Sequence, residues 1–140
     1  MKIMICGSMG FSKEMLHAKK SLEELGHFVE VPCDVESHIE NSDLIDDLDA
    51  DFEHCVKNNV LKTCMDSIAD SDAILIVNHD KNGIKGYIGT SAMIEMGLAY
   101  YLGKKIFLLF PTPSPSETRW AHEVRIMQPV IINGDFSMIQ

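Results

Sequence analysis

At 140 residues, with 46% hydrophobic and 24% charged side chains, the chain has the length and mix of one globular domain able to bury a core. A formal net charge of −9 argues against a nucleic-acid surface, which needs clustered Lys and Arg, and no apolar run reaches the ~20 residues of a membrane span. A small anionic ligand stays open, because the free N–H groups of a helix N-terminus can hold one.

The N-terminal stretch MKIMICGSMGF leads through Gly7 and Ser8 into a polar helix rather than a cleavage site, so a first strand is expected there and no signal peptide. Lys2 to Cys6 is the short apolar run of a buried parallel strand. From Ser12, expected as N-cap, Met15, Ala18, Leu22 and Leu25 recur at helical steps up to Gly26, which suits the left-handed C-terminal position. Phe28 to Pro32 reads as the second strand, closing a βαβ unit of right-handed crossover. The acidic stretch from Asp34 to Asp49 is expected as a loop or short helix outside the core. A second helix follows from about Ala50 to Ala69, with Phe52, Val56, Val60, Leu61, Met65 and Ile68 as its apolar side.

Asp72 to Val77 is the third strand, too short and too β-branched for a helix. The loop from Asn78 to Gly86 carries the turn signal Asn82-Gly83. A third helix, capped by Thr90 or Ser91, ends at Gly103, and Lys105 to Phe110 is the fourth strand. Prolines 111, 113 and 115 punctuate a loop, a short helix covers roughly Ser116 to Met127, and Val130 to Ile132 is the fifth strand. Strands alternating with helices predict an α/β fold. The expected form is a Rossmann-like or flavodoxin-like doubly wound sheet of about five parallel strands, with helices on both faces, in one domain over residues 1–140.

Open parallel sheets bind ligands outside the carboxyl ends of their strands, at the switch in strand order. That rule marks Cys6-Gly7-Ser8-Met9, Cys33-Asp34, Asn78 to Gly89 and Pro111 to Pro115. Gly7 and Ser8 suit a close approach of backbone to ligand, or close packing alone. Gly86 to Ser91 is a turn rich in glycine and hydroxyls that enters a helix, so Gly89, Thr90 and Ser91 can offer N–H groups to a phosphate or carboxylate. Glu95 follows, set among Met93, Ile94, Met96 and Leu98. It is either a surface acid complementing the helix dipole or a carboxylate in a partly apolar pocket, able to act as nucleophile or general acid/base. Glycosidic cleavage suits such a group, because its transition state carries oxocarbenium character.

Ile5-Cys6-Gly7-Ser8 after the first strand, together with Glu95-Met96-Gly97-Leu98-Ala99 and Leu102-Gly103-Lys104-Lys105-Ile106, resembles the nucleoside 2-deoxyribosyltransferase family. That family includes the 2′-deoxynucleoside 5′-phosphate N-hydrolases, and the match covers residues 2 to about 110. The resemblance implies a Rossmann-like fold, Glu95 as the nucleophile at C1′ of the sugar, and no metal or organic cofactor. It also implies a 5′-phosphate held by Gly89-Thr90-Ser91, and a homodimer or larger homo-oligomer whose subunits complete each other's pockets. The sequence departs from the family where an assisting Asp is expected on the second helix: the matching position is Cys64, with Asp66 two residues on. The acid that transferases carry about six residues before the nucleophile is Gly89 here. The segment from Asn78 to Ile88, with His79 and Asp80, is not part of the family pattern. Asp66 or Asp80 is therefore expected as the assisting acid, and Cys6, Gly7, Ser8, Met9, Asn78, His79, Gly86, Gly89, Thr90 and Ser91 as the substrate cradle. Gly89-Thr90 followed by Glu95 is also loosely similar to the signature of phosphoribohydrolases. A nucleotide-binding module without turnover is the alternative.

Other constellations carry less. Asp47, Asp49 and Asp51 imitate the start of a calcium loop, but Phe52 and Asn58 occupy the positions where Gly and Glu are needed, so a solvated acidic face is expected. Cys6, Cys33, Cys55 and Cys64 show no CxxC pair and read as reduced thiols of a cytoplasmic protein. His54, Cys55 and Cys64 lack a fourth zinc ligand at sensible spacing. Lys85 is a possible anion partner. Trp120 is read as holding down the last helix, and the nine methionines as core filler.

Overall fold

The computed structural model describes residues 1–40 and 47–140. Strand β1 (Lys2–Cys6) is apolar on both faces because both faces are covered. Its odd residues Ile3 and Ile5 join Ala73 and Leu75 of β3 (Ala73–Ile76) on one side, under Met15, Ala18 and Leu22 of α1 (Ser12–Glu24). Its even residues Met4 and Cys6 join Ile74 and Ile76 on the other, under Val60, Cys64 and Ile68 of α4 (Val60–Ala69) and Ala92, Met96 and Ala99 of α5 (Thr90–Tyr101). With β2 (Phe28–Glu30), β4 (Lys105–Leu108) and β5 (Val130–Ile131), the sheet runs β2-β1-β3-β4-β5, and every neighbouring pair is parallel. This is the expected doubly wound sheet. The order reverses at β1, so the crevice falls between the carboxyl ends of β1 and β3.

Several local expectations are corrected. Ser12 does not cap α1. A 3-10 turn at Met9–Phe11 precedes it, and the buried Ser12 hydroxyl donates to the Met9 carbonyl at 2.6 Å. The C-terminal end is as expected, with Gly26 in the left-handed region at φ +93°. The expected single helix from Ala50 to Ala69 is two, α3 (Leu48–Lys57) and α4. Asn59 between them is left-handed at φ +53°, and Asn58 Nδ2 donates to the His54 carbonyl at 2.9 Å, which ends α3. Of the expected apolar side only Val60 and Ile68, both on α4, are buried; Phe52 on α3 is 67% exposed.

The acidic stretch is not all outside the core. Val35 at the head of α2 (Val35–Glu40) is buried beneath α1, and Asp34 beside it is buried too. Residues 41–46 of that stretch lie outside the described residues. Asp47 caps α3, its Oδ1 accepting the Ala50 N–H at 3.1 Å, which gives the Asp47-Asp49-Asp51 run a helix-start role. The last helix, α6 (Ala121–Ile126), is shorter than the expected Ser116–Met127, and half-buried Trp120 packs against the core beside it.

Candidate active site

The buried stripe of α5 is Ala92, Glu95, Met96, Ala99, so the helical period itself carries a carboxylate inward. Glu95 is 5% exposed. Burial pushes its carboxyl up to about 7; the Cys6 thiol at the end of β1, which hydrogen-bonds it, pulls the other way, and the charge of Asp34 adds to the rise. Its Oε2 has no hydrogen-bond partner among the described residues. Glu95 lines a cleft of about 490 Å³ bounded by Gly7, Ser8 and Met9, by Gly89, Thr90 and Ser91, and by α3 and α4.

Gly7 is required by close packing. A Cβ there would lie 3.0 Å from the Val77 carbonyl oxygen and 3.3 Å from Met15 Sδ, so the turn after β1 presses against β3 and α1. Gly89, not Thr90 or Ser91, is the N-cap of α5, and no side chain among the described residues caps the helix. The N–H groups at its start are therefore free for a ligand. Gly89 also faces the opposite wall, where a Cβ would stand 4.0 Å from Ser8 Cβ.

The remaining expected residues do not converge on Glu95. Asp66 points to solvent on α4, both its oxygens held by Lys62 Nζ at 2.9 Å. Asp80 accepts the Gly86 N–H at 3.2 Å and lines a separate groove of about 740 Å³ beside Pro111, together with Gly86 and Lys85. Fully buried Asn78 is a clamp: its Oδ1 accepts the Phe110 N–H at 2.9 Å, and its Nδ2 donates to the Phe110 carbonyl at 2.7 Å and the Gly86 carbonyl at 3.4 Å. The His79 ring packs between Phe11 and Phe110, with centroids 5.6 and 5.2 Å away.

Residues not foreseen take their places. Asp34 lines the cleft with Glu95, and His54 Nε2 stands 3.9 Å from its Oδ2. Cys64, where the family pattern has Asp, also lines it, its thiol pushed up to about 12 by burial first and then by the charge of Glu95. Burial, with the Glu95 charge behind it, likewise holds Cys6 well above the ordinary thiol range. Lys81 donates to Ser8 Oγ at 2.9 Å and sits over the Tyr87 ring at 5.4 Å. The strand-end rule marked the segments of Asp34 and Lys81 but could not rank Lys81 above Lys85. No group of three or more His, Cys, Asp or Glu side chains suited to a metal occurs among the described residues, and none of the described helices is long and apolar enough to cross a membrane.

Fold and cleft together define a Rossmann-like α/β domain with a buried carboxylate at its topological switch point. The structure is similar to a 2-deoxyribosyltransferase from Bacillus psychrosaccharolyticus, at a TM-score of 0.54 and 25% identity over 81% of this chain and 75% of that one. The CMP N-glycosidase BcmB of Clostridium botulinum shares the fold at a TM-score of 0.53 and 18% identity, over 98% of this chain and 92% of its own. The resemblance to the deoxyribosyltransferase family thus has its counterpart in structure, at low sequence identity. No family model matches the chain, and no curated protein matches it.

Proposed function

We propose that the chain is an N-glycosidic enzyme, a hydrolase or deoxyribosyltransferase, acting on a nucleoside or nucleoside 5′-monophosphate with Glu95 as nucleophile. The observation that carries this reading is the buried Glu95 carboxylate, with one oxygen unpartnered among the described residues, in a cleft entered by the uncapped start of α5. A Glu95 oxygen attacks C1′; the C1′–N bond breaks, its electron pair leaves on the base, and the base takes up a proton. Water, or a second base, then attacks C1′, which frees the carboxylate and leaves the sugar hydrolysed or transferred. Asp34 is the better candidate for assisting acid than Asp66 or Asp80, because it alone of the three lines the cleft. The reading includes a single domain, a cytoplasmic location and a homodimer or larger assembly.

The second reading, a nucleotide-binding module without turnover, draws on Cys64, a thiol that holds its proton where the family has a carboxylate. Chromatographic assay of base release from a panel of nucleosides and monophosphates separates the two. Glu95→Gln and Glu95→Ala should each abolish release; an unchanged rate in either removes Glu95 as nucleophile. Ligand-induced thermal stabilisation of the unmutated protein with no base released would favour the module.

A further inference from the structure

Asp34 reaches the cleft from the end of β2 and is 5% exposed. Against it stands His54 of α3, whose Nε2 lies 3.9 Å from Asp34 Oδ2. The chemistry of that nitrogen is set from the other side of the ring. Asn58, where α3 ends, sends its Nδ2 to the His54 carbonyl at 2.9 Å and to His54 Nδ1 at 3.2 Å. A carbonyl only accepts, so the first bond fixes which way the amide is turned, and Nδ2 has nothing but hydrogens to offer the ring. Nδ1 is therefore the acceptor. The single proton of a neutral His54 is then on Nε2, and the ring turns an N–H toward Asp34.

A donor fixed beside one oxygen of a carboxyl group decides where that group carries its proton. With Oδ2 facing Nε2–H, the acid proton of Asp34 belongs on Oδ1. The gap of 3.9 Å is about an ångström longer than a hydrogen bond, as such contacts commonly are before a substrate closes the site. We infer that His54 is a positioning residue for the departure of the base: its Nε2–H holds Oδ2, so that Asp34 presents the Oδ1 proton to the leaving nitrogen. This inference rests on the reading of Glu95 as nucleophile and Asp34 as assisting acid. As a Glu95 oxygen bonds to C1′, the C1′–N electron pair passes to the base nitrogen, which takes the Asp34 proton. The water or second base that then displaces Glu95 from C1′ returns a proton to Asp34. His54 keeps its own proton throughout. β2 and α3 thereby supply what α4 does not, since Cys64 on that helix holds its thiol proton up to about 12.

The test uses matched nucleosides, or their 5′-monophosphates, whose bases differ in their need for a proton. N7-methylguanine leaves as a neutral base without one, unlike guanine, and 5-fluorouracil is a better leaving group than uracil. For the base class that the wild type cleaves, His54→Phe, which keeps a ring and loses the N–H, should lower kcat about 10- to 100-fold on guanine or uracil, with KM little changed. On the activated partner the loss should be at least several-fold smaller. His54→Gln, whose side-chain amide restores a donor, should recover part of the loss. Asp34→Asn should show the same dependence on the base, and Glu95→Gln should fail on every substrate. Nitrogen–proton NMR correlation of the wild-type His54 ring should find the proton on Nε2, and thermal melts establish that each variant folds. Equal losses on both members of a pair, an unchanged kcat in His54→Phe, or a ring proton on Nδ1 alone overturns the inference and leaves Glu95 standing. A wild type that releases no base from any of these substrates removes the glycosidic reading, and the inference with it.

Discussion

Glu95 is held inside by helix periodicity, and a carboxylate so held has two consequences with pH. Its folded value of about 7 lies above the ordinary 4.5, so between those values the native state keeps a proton that the unfolded chain has released. Stability from this group therefore falls as pH rises from about 4.5, and the loss is complete above about 7. Glu95→Gln removes the titration, so its unfolding free energy should gain on wild type by about 3 kcal/mol between about pH 4.5 and about pH 8, measured by denaturant titration. A nucleophile must be ionised, so base release should climb about tenfold per pH unit below about 7 and level off above it. A profile flat across that range would show that another group limits the rate. The sequence left Glu95 open between a surface acid and a pocket carboxylate; the structure puts it on the buried Ala92-Glu95-Met96-Ala99 stripe. Its electrostatic neighbour Asp34 was not legible as one, because it comes from the end of a different strand, and only the sheet order brings the two together.

The strands were readable because β1 and β3 are continuous apolar runs with both faces buried. The helices between them were readable in period but not in extent. Phe52, Val56 and Leu61 continue the apolar pattern across Asn58-Asn59, which hid the break; all three are exposed, so the continuity reflects composition rather than core. The post-β3 loop was legible at its Asn82-Gly83 turn and opaque at Gly86. That glycine is left-handed at φ +64°, and a Cβ on it would run into the Pro111 carbonyl oxygen. Gly86→Ala must therefore move the backbone of one loop or the other, and should cost about 3 kcal/mol in a denaturant titration. An unchanged midpoint would mean that the two loops yield freely.

Contacts across the chain are what a linear reading lacks most. Ser8 and Lys81 are 73 residues apart, and only the β1–β3 pairing sets their turns side by side. The same limit applies beyond one subunit. α3 exposes Val56 as well as Leu48 and Phe52, the latter two lining the cleft, so the expected homodimer or larger assembly should appear as at least twice the 15.7 kDa chain mass in light scattering. A monomer at working concentration would remove the shared pocket from the functional reading. Within the subunit, the amide of Asn78 fastens Phe110 with both of its polar atoms and reaches Gly86 as well. The banks that follow β3 and β4 are thereby riveted into a single plate. Lys81 rides on that plate, while Ser8 and Glu95 belong to other parts of the frame, so the bank of the cleft that carries Lys81 and the groove beside Pro111 are built on one stretch of backbone.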